Sequence, residues 1–513
     1  MHYRICISNS SYLRKFLFSL VSIGFCIAVN YSKKIAYFFF VYIAFYLQSI
    51  LIAPILTRGL GVDAYGVWSQ IRVSIDLLVP VCLLSLPVAF SRFSAGLKDK
   101  KEIATNYFTI QIFIICMASI VCLSFFFISD FVADKFIKTS LDVGQVVAFA
   151  SLLIPIRSLC SFSTDYFRTF QHEKIFSLFM GIQSIGLVVT AYILTDLGYT
   201  LYHIIGSMIA IQLFSFIATQ TIILIRIGWA KPNLKLLSSF FSFCLPLFPV
   251  SILHWVVSLS DRYVIGFFNS VTDVATYSLC YMLSMVIMFF YAPFYTILSP
   301  KLTTLWEAKQ DDALQKILYF SNKVPFLISL PIITGFGILS SDILQLITGV
   351  DLVDAYILTP IICTGYLFFY VGCYYREVFI LVKKTQYSTR GYMISAATNI
   401  VGNIALVPLI GILGAALVTM ITFFVLMLYF MKASRRFYYI DLRWDFLWKS
   451  IWASTVMGGS VFLLKVSLFD PLNLITIALL GLSGALIYFV CLLLFSGINK
   501  QDFEVVKSLF LST

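Results

Sequence analysis

Arg72 and Asp76 stand four residues apart, a spacing that places both side chains on one helix face, and both lie within a long apolar run. A guanidinium there can grip an oxyanion through two parallel N–H bonds, while the carboxylate orients it or carries a proton. The same two residues can also form a self-neutralising pair turned into a helix bundle. Arg157, beside Pro155, can line an internal cavity or run its stem out to an interface. Arg376 with Glu377, and Asp165 with Arg168, can gate one end of their helices or snorkel to it. Arg58, Asp261 and Arg262 mark the opposite end, as a gate pair or as boundary anchors. Asn399 and Asn403, again four apart, offer amides to a hydroxyl-rich ligand or to a neighbouring helix. Each charge held at membrane depth costs about 2.5–3.5 kcal/mol on insertion scales, so those retained become functional candidates.

The elements that position these groups are about fourteen apolar stretches between residues 35 and 496, most near the ~20 residues that cross ~30 Å of hydrocarbon as a helix. Hydrophobic residues make up 60% of the chain and charged ones 12%, far from the soluble norm. Cations crowd alternate connections: Arg92, Lys98, Lys100 and Lys101 in one, Lys432, Arg435, Arg436, Arg443 and Lys449 in another. The opposite side carries only Arg58, Lys135, Lys138 and Arg262. The positive-inside rule makes the crowded side cytoplasmic, with both ends of the helical body inside. The net charge of +12 then faces the anionic headgroups of the lipid bilayer, and nucleic acid is not expected as a partner. Nine of the eleven cysteines, from Cys82 to Cys491, fall inside the apolar runs with no C-x-x-C pair and read as small buried hydrophobes. His203 and His254 have no partner at ligand spacing, so no metal is expected, and His254 stays open as a proton carrier.

Residues 1–34 form a prelude in which Arg4, Arg14 and Lys15 precede an apolar run from Phe16 to Val29, short for a span and without a cleavage site. An interfacial or re-entrant segment fits it, as does a true start upstream. Beyond it the chain repeats. Arg58 and Arg262, Pro155 and Pro360, and Arg168 and Arg376 are separated by 204, 205 and 208 residues, which pairs helices one to six with seven to twelve. Six is even, so the copies share one orientation about an axis along the membrane normal. The expected organisation is an N-lobe over 35–226, a cytoplasmic linker over 227–237, a C-lobe over 238–432, two further helices over 450–496 and a cytoplasmic tail over 497–513. The fold class is an all-α polytopic membrane protein, two six-helix lobes around a central cavity plus two C-terminal helices. The seventh span is placed at 238–259, and 129–142 and 260–274 are the longest outer loops, too short for a catalytic domain. Prolines interrupt many spans, and Pro246 with Pro249 is the hinge candidate.

Three motifs carry a family resemblance: Leu56-Thr57-Arg58-Gly59-Leu60-Gly61 with Tyr65-Gly66, Leu245-Pro246 with Asp261-Arg262-Tyr263, and Gly411-Ile412-Leu413-Gly414-Ala415-Ala416. Over about 35–500 the chain resembles the bacterial polysaccharide or O-antigen flippases of the multidrug/oligosaccharidyl-lipid/polysaccharide exporter superfamily. The resemblance implies a transporter in the bacterial inner membrane, not an enzyme, moving an undecaprenyl-pyrophosphate-linked oligosaccharide from inner to outer leaflet. A polysaccharide polymerase and chain-length proteins are its implied partners. Such a substrate needs cations and amides in the cavity: Arg72, Asp76, Arg157, Arg376, Asn399 and Asn403 are the substrate candidates. Arg58, Asp165, Arg168, Asp261, Arg262 and Glu377 are gate candidates. No phosphate-binding loop for ATP is present and no cofactor is expected, so the drive is an ion gradient of H+ or Na+, the membrane potential, or removal of product. A multidrug exporter of the same superfamily, which calls for an anionic cavity, and a membrane polymerase are the rival functions.

Overall fold

Where no water is available to bond peptide groups, a long apolar run satisfies its backbone as a helix, and the described residues contain no strand. The computed structural model describes residues 33–139, 143–349, 352, 355–440, 444–468, 473–497 and 502. The expected prelude lies outside these, except for Lys33 and Lys34 at its end.

The first lobe is α1 (Lys33–Leu60), α2 (Val62–Leu83), α3 (Lys100–Phe127), α4 (Gly144–Thr169), α5 (Glu173–Asp196) and α6 (Leu201–Ile227). The second is α7 (236–268), α8 (271–307), α9 (Asp311–Thr348), α10 (Ala355–Leu381), and α11 and α12, which share the stretch Gln386–Ser434. That stretch is a hairpin. Ile410 and Gly411 leave helical backbone, Gly411 at φ +59°, a conformation that favours glycine. Gly391 faces Phe430, Gly402 faces Val418 and Gly414 faces the Leu406 carbonyl, pairs disposed evenly about residue 410. Outside the repeat, α13 (Trp444–Leu468) packs on α9, where Lys465 bonds Asp342, and α14 (Leu474–Leu494) packs on α13.

α7 departs from the sequence expectation in two ways. It extends to Phe268, so most of 260–274 is helical and the reversal is confined to Asn269 and Ser270. Ser270 and Asp273 form a capping box that starts α8 at once. α7 is also bent by 45° between Cys244 and Phe248, where Pro246 and Pro249 stand. Before the bend, Phe240 and Cys244 are buried in the first lobe with Leu86 and Phe90, and Phe93 lies 5.4 Å from Phe240. After it, the helix packs on the α11–α12 hairpin.

The lobes meet most intimately where α2 crosses α8. The Ser69 and Ser278 hydroxyls are 2.7 Å apart, and Thr272 donates to Asp63 at 2.6 Å; each pair is separated by 209 residues. Like positions touching like positions is the signature of a two-fold axis running along both helices. This register corrects the repeat read from the arginines. The counterpart of Arg58 is residue 267, and Arg262 lies five residues further into its helix, roughly 7 Å at ~1.5 Å per residue. Gly66 permits the crossing, since a Cβ there would come within 2.8 Å of Val271 Cγ2 and closer still to its carbonyl oxygen.

Two cations latch the same end. Arg58, on α1, donates to the Leu346 and Ile347 carbonyls at the end of α9, the second at 3.1 Å. Lys138, which follows α3, donates to the Phe267 carbonyl near the end of α7. Both complete carbonyls that a helix end leaves unbonded.

Gly66→Leu is expected to destabilise the detergent-solubilised protein by about 1–3 kcal/mol through overpacking, read as a lowered melting temperature. Gly459→Leu, where an added Cβ meets nothing within 4 Å, should leave it unchanged.

Candidate functional site

Below the α2–α8 crossing the lobes part around a cavity of about 560 Å³. Its walls come from α1, α2, α7, α8, α10 and α12, so both lobes contribute. Arg72, Arg262 and Arg376 reach it, and among the described residues Asp76 is the one carboxylate on its lining.

Arg72 sits ten residues into α2, roughly 15 Å from its start at ~1.5 Å per residue, deeper than a span beginning at residue 67 implies. Its guanidinium lies over the Trp68 ring at 5.3 Å and the Phe45 ring at 5.7 Å, contacts that favour a desolvated cation. Asp76 is 3.9 Å from Arg72 Nε but 2.9 Å from Arg157 Nη2, so the carboxylate is held mainly by α4. One carboxylate thus serves two guanidiniums, and one positive charge of the three groups is uncompensated. Arg157 approaches the site through Asp76 and is not on the cavity lining.

Arg376 does reach the cavity. It donates to the Tyr295 hydroxyl at 2.7 Å and to the Tyr392 hydroxyl at 3.1 Å. Neighbouring Glu377 is fully buried, accepts from Tyr295 and from Ser299 at 2.7 Å, and ties α10 to α8 within one lobe rather than gating between lobes. Asp165 and Arg168 pair at 3.1 Å along α4 alone, with Arg168 exposed, and form no ion pair across the lobes among the described residues. Arg58 is the gate candidate that does bridge them.

Asp261 and Arg262 were placed at the outer rim by sequence; the longer α7 puts them inside. They are 1% and 5% exposed, paired at 3.0 Å. Asp261 also accepts from Tyr277 on α8, and Arg262 lies 4.3 Å from the Tyr281 ring. Asn399 and Asn403 do not line the cavity. They bond each other at 3.1 Å, and Ser260 donates to Asn399 at 3.0 Å, so their amides join α11 to α7. His254 lies on the cavity wall, 6.3 Å from the Tyr392 ring.

Sequence reasoning missed the aromatic wall. Tyr281, Tyr291, Tyr295, Tyr366 and Tyr370, from α8 and α10, line the cavity, with Tyr291 and Tyr370 ring centroids 3.9 Å apart. Their i, i+4 spacings were the available signal. Ser74 and Trp255 were missed as well: Ser74 bonds Tyr263 at 2.5 Å, and the Trp255 indole donates to the Val73 carbonyl at 3.2 Å, adding contacts between α2 and α7.

Residues 31–306 match the profile of a family described as polysaccharide biosynthesis protein, and residues 246–405 match the MatE family. No curated protein matches the sequence. Among solved structures, the lipid II flippase MurJ in an inward closed conformation superposes with a TM-score of 0.68 at 16% identity, over 90% of this chain and 98% of its own. A multidrug resistance MATE family transporter of the MOP superfamily, inward-facing, gives 0.62 at 13% identity over 77% and 97%. The MATE multidrug transporter DinF-BH gives 0.57 at 12% identity over 79% and 95%. These likenesses establish a shared fold.

Asp261→Asn removes the buried partner of Arg262 and is expected to cost about 3–5 kcal/mol, a clear fall in melting temperature. Asp165→Asn, beside an exposed arginine, should change it by less than about 1 kcal/mol.

Proposed function

This chain belongs to the polysaccharide biosynthesis protein family, the flippases of the multidrug/oligosaccharidyl-lipid/polysaccharide exporter superfamily, and we propose that it moves a polyprenyl-pyrophosphate-linked oligosaccharide, of O-antigen or capsule type, between leaflets of the bacterial inner membrane. One observation carries this reading: Arg72 projects into an inter-lobe cavity with no hydrogen bond to a described residue, beside a carboxylate already shared with Arg157. Its unspent N–H donors suit phosphate oxygens, which accept two parallel bonds from one guanidinium. An arriving pyrophosphate competes with Asp76 for Arg72, leaving the carboxylate to Arg157, and neutralises the charge the trio leaves over. Arg376 offers a second cationic contact across the cavity.

The tyrosine wall gives sugar rings flat apolar faces to lie on and hydroxyls to bond, while the polyprenyl tail stays in the surrounding hydrocarbon. Release to the outer leaflet requires the α2–α8 crossing to part, with the bend in α7 taking up the change of angle. The drive in this reading is an H+ or Na+ gradient, the membrane potential, or removal of product. A multidrug-exporter function draws support from the MatE match over 246–405, but three arginines against one lining carboxylate suit an anionic head better than a cationic drug.

In proteoliposomes loaded with a defined lipid-linked oligosaccharide, leaflet transfer is read as loss of protection from a membrane-impermeant glycosidase. Arg72→Ala and Arg157→Ala are each expected to slow transfer at least tenfold, corresponding to ~1.4 kcal/mol or more; in cells, lipid-linked units should accumulate on the inner leaflet. Wild-type rates in both variants would overturn the assignment. A Ser69→Cys, Ser278→Cys double variant should stop transfer when oxidised and regain it when reduced; transport through the oxidised crossing would exclude this route.

A further inference from the structure

A second groove, of about 550 Å³, lies at the basic face of the second lobe, between the start of α11 and the end of α12. Arg390, Lys432 and Arg436 line it, and among the described residues no carboxylate does. None of the three forms an ion pair among the described residues. Three like charges in one groove repel one another, and an anion relieves that repulsion. The groove is also built. Gly391 lets the Phe430 ring press against α11, holding the two helix ends close, and the Arg390 guanidinium lies 5.5 Å from the Tyr387 ring.

What faces the cations from below is apolar. Met393 and Ile394 complete the lining at 56% and 42% exposure, and Val401 and Ile404 continue the bare face of α11 toward the far side. Tyr387 and Tyr429 lie at the level of the cations, where ring bodies and hydroxyls suit the boundary between headgroup and acyl chain. Cations above, tyrosines at the boundary and exposed aliphatic side chains below match a phosphate head joined to a hydrocarbon tail.

We propose that this groove binds the phosphate headgroup of an anionic phospholipid from the leaflet on the basic side, its acyl chains lying along α11. Arginine forks on a lipid phosphate give the grip, and basic pockets between membrane helices are physically suited to such heads. The site is separate from the inter-lobe cavity and does not depend on the transported substrate.

The test uses the full chain in detergent, titrated with phosphatidylglycerol, with phosphatidylcholine and with soluble glycerol phosphate, and read by native mass spectrometry and melting temperature. Phosphatidylglycerol should be retained and stabilising, the other two not. Arg390→Gln with Arg436→Gln, both exposed positions, should weaken that retention roughly thirtyfold, at the expected contribution of each surface cation. Lys432→Gln alone should weaken it roughly fivefold. Lys309→Gln with Lys316→Gln, which removes two exposed cations elsewhere on the same face, should leave it intact. Equal retention of phosphatidylcholine, equal stabilisation by glycerol phosphate, unchanged retention in the groove variants, or equal loss in the Lys309 and Lys316 control would each overturn the proposal.

Discussion

A guanidinium within hydrocarbon-spanning helices must be answered by something, because the surrounding hydrocarbon cannot solvate it. In this protein the answers differ, and their differences lay out the molecule. Arg262 is answered by its neighbour Asp261 and the faces of two tyrosines, and is structural as well as cavity-lining. Arg376 is answered by tyrosine hydroxyls. Arg72 is answered by rings and by part of a carboxylate that Arg157 holds more closely. The least satisfied of these cations is the one whose donors are turned to the space between the lobes.

That space lies beside the crossing at which the lobes meet most closely. Serines and a glycine, residues too small to advertise themselves, let α2 and α8 approach along a shared axis. The latches beside that crossing are related but not alike. In one, a helix residue, Arg58, reaches the end of α9; in the other, Lys138 from the segment after α3 reaches α7 at the position corresponding to Arg58. The repeat has kept the bridge and exchanged which side supplies the charge.

Much of this was legible in the sequence and some could not be. The helices follow from apolar length, and the break at Ile410 and Gly411 from a glycine that ends a run. Pro246 and Pro249 marked the place of the bend in α7. The Asp261-Arg262 pair misled because charges beside an apolar run normally mark its end; here Tyr277, sixteen residues on, makes burial tolerable. Asn399 and Asn403 looked equally fit for a ligand or for packing, and only the tertiary neighbour Ser260 decides it. The match of Arg58 to Arg262 erred by five residues because arginines were matched by type, whereas the lobes are aligned by the positions that meet on the axis.

The bend in α7 has a consequence for how the molecule divides. The arm up to Cys244 belongs to the interior of the first lobe, and the remainder to the second. A gene split at the apparent linker would hand the second fragment a greasy arm whose socket lies in its sibling. The second lobe is therefore tethered through an arm seated on the first, and the packing boundary between them falls near Leu245 rather than in the loop before α7.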